Sequence, residues 1–104
     1  MICIQLGYMD PKNDEITGIW HADQEYADGG MFFQLTYVFA DDGTVSEFWY
    51  DSGDGTLKRQ YDLFWERDAE GEYTLNDGND FRKYTIAEGK LCDVYFELYY
   101  HREK

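Results

Sequence analysis

The feature that most constrains this chain is a two-residue hydrophobic period, broken at short intervals by glycine-bearing turns. Phe33, Leu35, Tyr37 and Phe39 alternate with Gln34, Thr36 and Val38. Tyr61, Leu63 and Trp65 alternate with Asp62 and Phe64, and Val94, Phe96, Leu98 and Tyr100 with Tyr95, Glu97 and Tyr99. Successive side chains of a strand point to opposite faces, so this is the period of half-buried strands. The turn sequences include Asp28-Gly29-Gly30, Asp41-Asp42-Gly43, Gly53-Asp54-Gly55, Asn76-Asp77-Gly78 and Glu88-Gly89-Lys90. Glycine supplies the positive φ of tight hairpins, and Asp or Asn tolerates the neighbouring position. The spacing predicts strands at about 17–26, 31–39, 44–51, 56–66, 71–76, 81–87 and 90–101, with 2–8 as a candidate eighth.

Short connections make successive strands antiparallel neighbours, an up-and-down meander. Asp10-Pro11 followed by Asp14 and Glu15 predicts a short helical turn near the N-terminus, with Asp at the N-cap and Pro at the first helical position. Seven or eight strands with two free edges solve the edge problem by closing. The expected architecture is therefore all-β, a small meander barrel spanning 1–104 as one domain. A barrel of this size is filled by side chains or holds one small ligand.

Here a family resemblance enters. Gly18-Ile19-Trp20, opening the first long strand, resembles the Gly-x-Trp signature of lipocalins. Phe39-Ala40-Asp41-Asp42-Gly43-Thr44 and Tyr84-Thr85-Ile86-Ala87-Glu88-Gly89-Lys90-Leu91 resemble phrases of small bacterial lipocalin-like domains. The resemblance covers roughly residues 16–102. It implies a lipocalin-like barrel in which Trp20 closes one end and the late basic residue Arg102 lies over it, a cation–π pair. It also implies carriage of a small apolar ligand. A second lipocalin motif is not evident in the sequence.

The chain offers little chemistry. His21 and His101 lack partners at metal-ligand spacing, and Cys3 and Cys92 form no C-x-x-C pair. Asp51-Ser52-Gly53-Asp54-Gly55-Thr56 places glycine where a calcium loop needs oxygen ligands, so it reads as a hairpin turn. Ser46 and Ser52 sit in no nucleophile motif. The expectation is a non-enzymatic protein without cofactor or metal. Trp20, Tyr37, Trp49, Tyr61, Trp65, Tyr84 and Phe96 either fill a small core or line a ligand cavity. The N-terminal sequence has no basic region or cleavage site of a secretory signal, which points to the cytoplasm.

Charge is the other strong signal. The formal net charge is −13, which excludes binding to nucleic acid or anionic membrane through a basic surface. The first 57 residues hold eleven acids and one base, Lys12. Hairpin neighbours should bring Asp23, Glu25, Asp28, Asp41, Asp42, Glu47, Asp51 and Asp54 to one acidic side. Such a face would dock on a basic protein, notably a nucleic-acid-binding protein whose groove is built for phosphates. Small phage-encoded inhibitors of bacterial defence enzymes share this profile: short, acidic, cytoplasmic nucleic-acid mimics. The two expectations, acidic docking module and carrier of a small apolar ligand, differ in whether the barrel is filled or hollow.

Overall fold

The structure, a computed structural model, describes residues 15–78 and 81–103. Its strands are β1 (Gly18–Ala22), β2 (Tyr26–Asp28), β3 (Met31–Phe39), β4 (Thr44–Asp51), β5 (Leu57–Arg67), β6 (Tyr73–Asn76), β7 (Phe81–Ala87), β8 (Lys90–Asp93) and β9 (Tyr99–Arg102). All pair antiparallel in the meander order, and β1 pairs with both β9 and β3. That double pairing closes an eight-stranded barrel, while β2 is a short extension beside the outer part of β3.

The alternation read from the sequence sets the two faces. Phe33, Leu35, Tyr37 and Phe39 of β3 are buried, as are Val45 of β4, Leu63 and Trp65 of β5, Tyr73 and Leu75 of β6, and Tyr84 of β7. Leu91 of β8 and Tyr100 of β9 complete this inward set.

Two predicted strands are each broken in two. The segment 17–26 divides into β1 and β2, and 90–101 into β8 and β9 around a loop at 94–98. The second break has a local cause. The buried Asp93 carboxylate accepts the backbone N–H of Tyr95 at 2.9 Å and of Phe96 at 3.1 Å. Glu97 then takes φ 56°, and its N–H bonds to Asp93 O at 2.9 Å. Backbone N–H groups that a continuous strand would spend on a ladder are satisfied within the loop. Val94 and Phe96 are consequently exposed rather than inward. The expected helical turn and the candidate strand at 2–8 fall on residues outside those described, apart from Glu15. The eighth barrel strand comes instead from the division of 90–101.

One barrel end is stoppered. Trp20 is 1% exposed, and its indole N–H donates to Ile16 O at 2.8 Å. Trp20 is the cross-strand partner of Arg102, whose guanidinium carbon stands 4.3 Å from the indole centroid. Arg102 also donates to the carbonyls of Thr17, at 2.6 Å, and Glu15. Gly18, at φ 128°, makes room for it, since a Cβ there would stand 2.8 Å from Arg102 Nη1. The segment 15–17 is thus tied across the end, with Ile16 fully buried beneath it.

Candidate functional site

Strand lengths create an opening in the barrel wall. β5 runs for eleven residues and β6 for four. β6 pairs only with Phe64–Arg67 of β5, so among the described residues Leu57–Leu63 has β4 on one side and no strand on the other. Tyr61 shares inward parity with Leu63 and Trp65, yet is 45% exposed, with no strand of the described residues beside it.

Behind this opening lies a cavity of about 620 Å³. Trp49, Tyr61 and Leu63 form one wall, Leu75 and Phe81 face them, and Tyr95 and Phe96 reach in from the 94–98 loop. Its polar contributors are Glu47, Asp77 and Arg82. A smaller void of about 50 Å³ shares Glu47, Trp49, Arg82 and Phe96 and is bordered by Tyr37, Asp93 and Tyr100.

The inner boundary is a polar network. Glu47 sits between Val45 and Trp49 with the inward parity of β4 and is 2% exposed. Arg82, on the inward parity of β7 with Tyr84, makes a bidentate pair with it: Nη1 to Oε2 and Nη2 to Oε1, both 3.1 Å. Tyr37 Oη donates to Glu47 Oε2 at 2.7 Å and lies 2.6 Å from Tyr84 Oη. Since the Tyr37 proton is committed to Glu47, Tyr84 is the donor in the second contact. Burial pushes the phenols of Tyr37, Tyr84 and Tyr100 well above the ordinary tyrosine range, reinforced by the negative charge of Glu47. Burial works against the charge of Arg82, but Tyr37 and Glu47 outweigh it and hold the guanidinium above its usual pKa. A buried carboxylate is thus neutralised by one fork, and the remaining N–H groups of Arg82 are not committed to Glu47.

Trp49 stands where the network meets the cavity. Arg59 stacks 4.8 Å from its ring and 5.0 Å from that of Phe33. The Trp49 indole N–H is buried, and no hydrogen-bond partner for it is found among the described residues. A buried donor left unpaired costs about 1–3 kcal/mol.

The eight predicted acids do not form one face. Glu47 is inside the barrel, paired to Arg82, which removes it from any docking surface. Asp41 and Asp42 occupy the β3–β4 turn, whereas Asp51 and Asp54 lie at the other end of β4, a strand about 26 Å long. Consecutive turns of a meander alternate between barrel ends, so adjacency in sequence separates them. Glu25, Asp28, Asp51 and Asp54 do share an end. There Asp28 pairs with Arg59 at 2.9 Å, and Asp54 bonds Thr56, which lowers its pKa. Asp23 bonds Lys90 and, at 2.7 Å, His101 on the outer wall, and both contacts lower its pKa. Asp42 is lowered by its bonds to Thr44.

Sequence reasoning passed over Arg82, Asp93 and Arg59. Arg82 was detectable as a cation on the inward parity of a strand, opposite an acid, Glu47, on the inward parity of another. Among the described residues no cluster of three His, Cys, Asp or Glu could hold a metal ion, and no helix is long and apolar enough to cross a membrane. Cys92 is half-buried on β8, while Cys3 lies outside the described residues. No family model matches the chain, nor does any curated protein sequence or solved structure.

Proposed function

We propose that this protein is a non-enzymatic, lipocalin-like binding barrel. It takes one small, largely apolar ligand with a planar or aromatic body into the cavity between β5 and the β6–β7 hairpin. The observation that carries this reading is the cavity itself. Its volume of about 620 Å³ falls within the ~300–1,000 Å³ of small-molecule sites, and its aromatic walls with a few polar groups at depth fit that class. The ligand presents a hydrogen-bond acceptor to Arg82 N–H groups beyond those that bind Glu47, with Trp49 lining the same cavity. Glu47 already neutralises Arg82, so a neutral acceptor is served as well as an anion.

The test is titration with 1-anilinonaphthalene-8-sulfonate, a planar apolar probe bearing one anionic group. The expected result is a single site with blue-shifted fluorescence, weakened about fivefold or more by Tyr61→Ala or Phe96→Ala and abolished by Leu63→Trp, which fills the cavity. Absence of a saturable site, or a site indifferent to Leu63→Trp in a folded variant, would overturn the reading.

A second reading keeps a docking role for the acids that do share an end. Glu25 and Asp51 border a shallow depression of about 420 Å³ together with the exposed apolar Met31 and Phe32. A basic protein, such as one that binds nucleic acid, would engage this rim. Its signature is affinity for a lysine-rich peptide that falls steeply with salt and with Glu25→Lys, and ignores Leu63→Trp.

A further inference from the structure

The cavity wall is richer in aromatic rings than an apolar ligand requires. Trp49, Tyr61, Phe81, Tyr95 and Phe96 all line it. The last four are between 45% and 65% exposed, so they bound the mouth rather than the packed interior. Trp49 and Tyr61 stand 6.3 Å apart with their planes at 73°, two walls of a corner. Tyr26 lies edge to face with both Trp49 and Phe96, at 5.4 and 6.5 Å, and so carries the aromatic surface across to the 94–98 loop.

An aromatic face is the negative part of a quadrupole. Saturated carbon gains only burial from such walls, whereas a cation is attracted by each face it meets. Trp49 already serves in this way, with the Arg59 guanidinium 4.8 Å from its ring.

Charge selects the same class of ligand. The charged side chains lining the cavity are two carboxylates, Glu47 and Asp77, and one guanidinium, Arg82. The Glu47–Arg82 fork offsets one charge of each sign, and the chain as a whole carries −13, a field that draws cations. An anion brought to Arg82 would stand beside the Glu47 carboxylate. A bare ammonium is strongly hydrated and would lose that water on entry. A quaternary ammonium instead spreads its charge over methyl groups, which suits walls that are both apolar and π-rich.

We propose that the cavity takes a small organic cation: a planar aromatic body bearing a quaternary ammonium, with the methylated head held among Trp49, Tyr61 and Phe96. The inference rests on the binding role proposed above and narrows its ligand class.

Three probes of one body test it by isothermal titration calorimetry at about pH 6: (4-hydroxyphenyl)trimethylammonium, its neutral isostere 4-tert-butylphenol, and 4-hydroxybenzenesulfonate. The cation should bind about tenfold tighter than the neutral phenol, and the sulfonate weakest of the three. That advantage should survive about 0.5 M salt, which screens the field of the whole protein but not the ring contacts. Tyr61→Leu and Phe96→Leu keep apolar volume and lose the ring. Each should cut the cation's advantage about threefold, while the neutral phenol, which also reports that the variant is folded, binds much as before. A neutral probe that binds as tightly as the cation would overturn the proposal and leave the apolar-ligand reading standing. So would an advantage that disappears in salt, or one unmoved by both leucine variants. Failure of all three probes to bind would overturn the proposal and the reading together.

Discussion

The two ends of the barrel use the same device to opposite effect. At one, Arg102 lies over Trp20, and at the other, Arg59 lies over Trp49. Trp20 is 1% exposed with its N–H bonded to Ile16, while Trp49 is half-buried with its N–H unpaired among the described residues. The difference lies in what the chain places over each indole. Arg102 ties the carbonyls of residues 15–17 across the first end and seals it. At the second, Arg59 pairs sideways to Asp28, and a cavity separates Tyr95 and Phe96 of the 94–98 loop from Tyr61 and Leu63 of β5. An Arg–Trp stack alone therefore does not close a barrel, because closure needs a segment of backbone to fill the remaining space.

The sharpest way to break this comparison is to remove each indole. Trp20→Ala empties a packed site and should cost about 3–5 kcal/mol. Trp49→Ala removes a half-exposed cavity wall and a donor unpaired among the described residues, and should cost about 1–2 kcal/mol while abolishing probe binding. Urea denaturation of both variants checks the ratio, and equal losses would show that the second end is as tightly packed as the first.

Between the ends lies the Glu47–Arg82 pair, and removing one partner of a buried pair strands the other. Arg82→Met should destabilise by about 3 kcal/mol, and Glu47→Leu combined with Arg82→Met should recover much of that loss. The recovery, measured by the same denaturation, separates a structural pair from one retained for ligand.

Tyr37, Tyr84 and Tyr100 are held protonated by burial and by Glu47. In the unfolded chain their phenols ionise near pH 10. Above that pH the unfolded state binds fewer protons than the native one, so stability falls as pH rises. Each phenol that stays protonated contributes a slope of about −1.4 kcal/mol per pH unit. Native-state titration at 295 nm should show these three lagging behind the rest, ionising only with alkaline unfolding. Phenols that titrate with the others below the unfolding transition would place the network in contact with solvent.

How much of this was legible follows from which signals are local. β3, β4 and β7 fall at 31–39, 44–51 and 81–87, the bounds that alternation and flanking glycines give. The stacking of Arg102 over Trp20 is the contact that the Gly-x-Trp resemblance implies. The break at 94–98 was not legible, because Val94, Phe96, Leu98 and Tyr100 keep the period through it while a single aspartate redirects the backbone. The positions of the eight acids were not legible either, because successive turns of a meander alternate between barrel ends and chain adjacency is not spatial adjacency. Whether the interior is filled depends on β5 outrunning β6, a relation between two strands that neither sequence carries by itself.

The smallest effect sharpens the comparison most directly. Arg102→Met keeps a long side chain over Trp20 but removes the cation–π attraction, worth about 0.5–2 kcal/mol, and the donors to Thr17 and Glu15. Those carbonyls then depend on water, so the segment 15–17 loosens and Ile16 begins to expose. The expected loss is about 2 kcal/mol, with faster hydrogen exchange at Trp20 Nε1, whose bond to Ile16 requires that segment in place. Arg59→Met at the other end removes a similar stack from a ring already at a cavity wall, together with a surface ion pair worth about 0–1 kcal/mol. Its cost should stay near 1 kcal/mol or below, with no change in exchange at Trp20. Equal losses from the two variants would mean that the stack itself, rather than the backbone it ties down, supplies the closure at the Trp20 end.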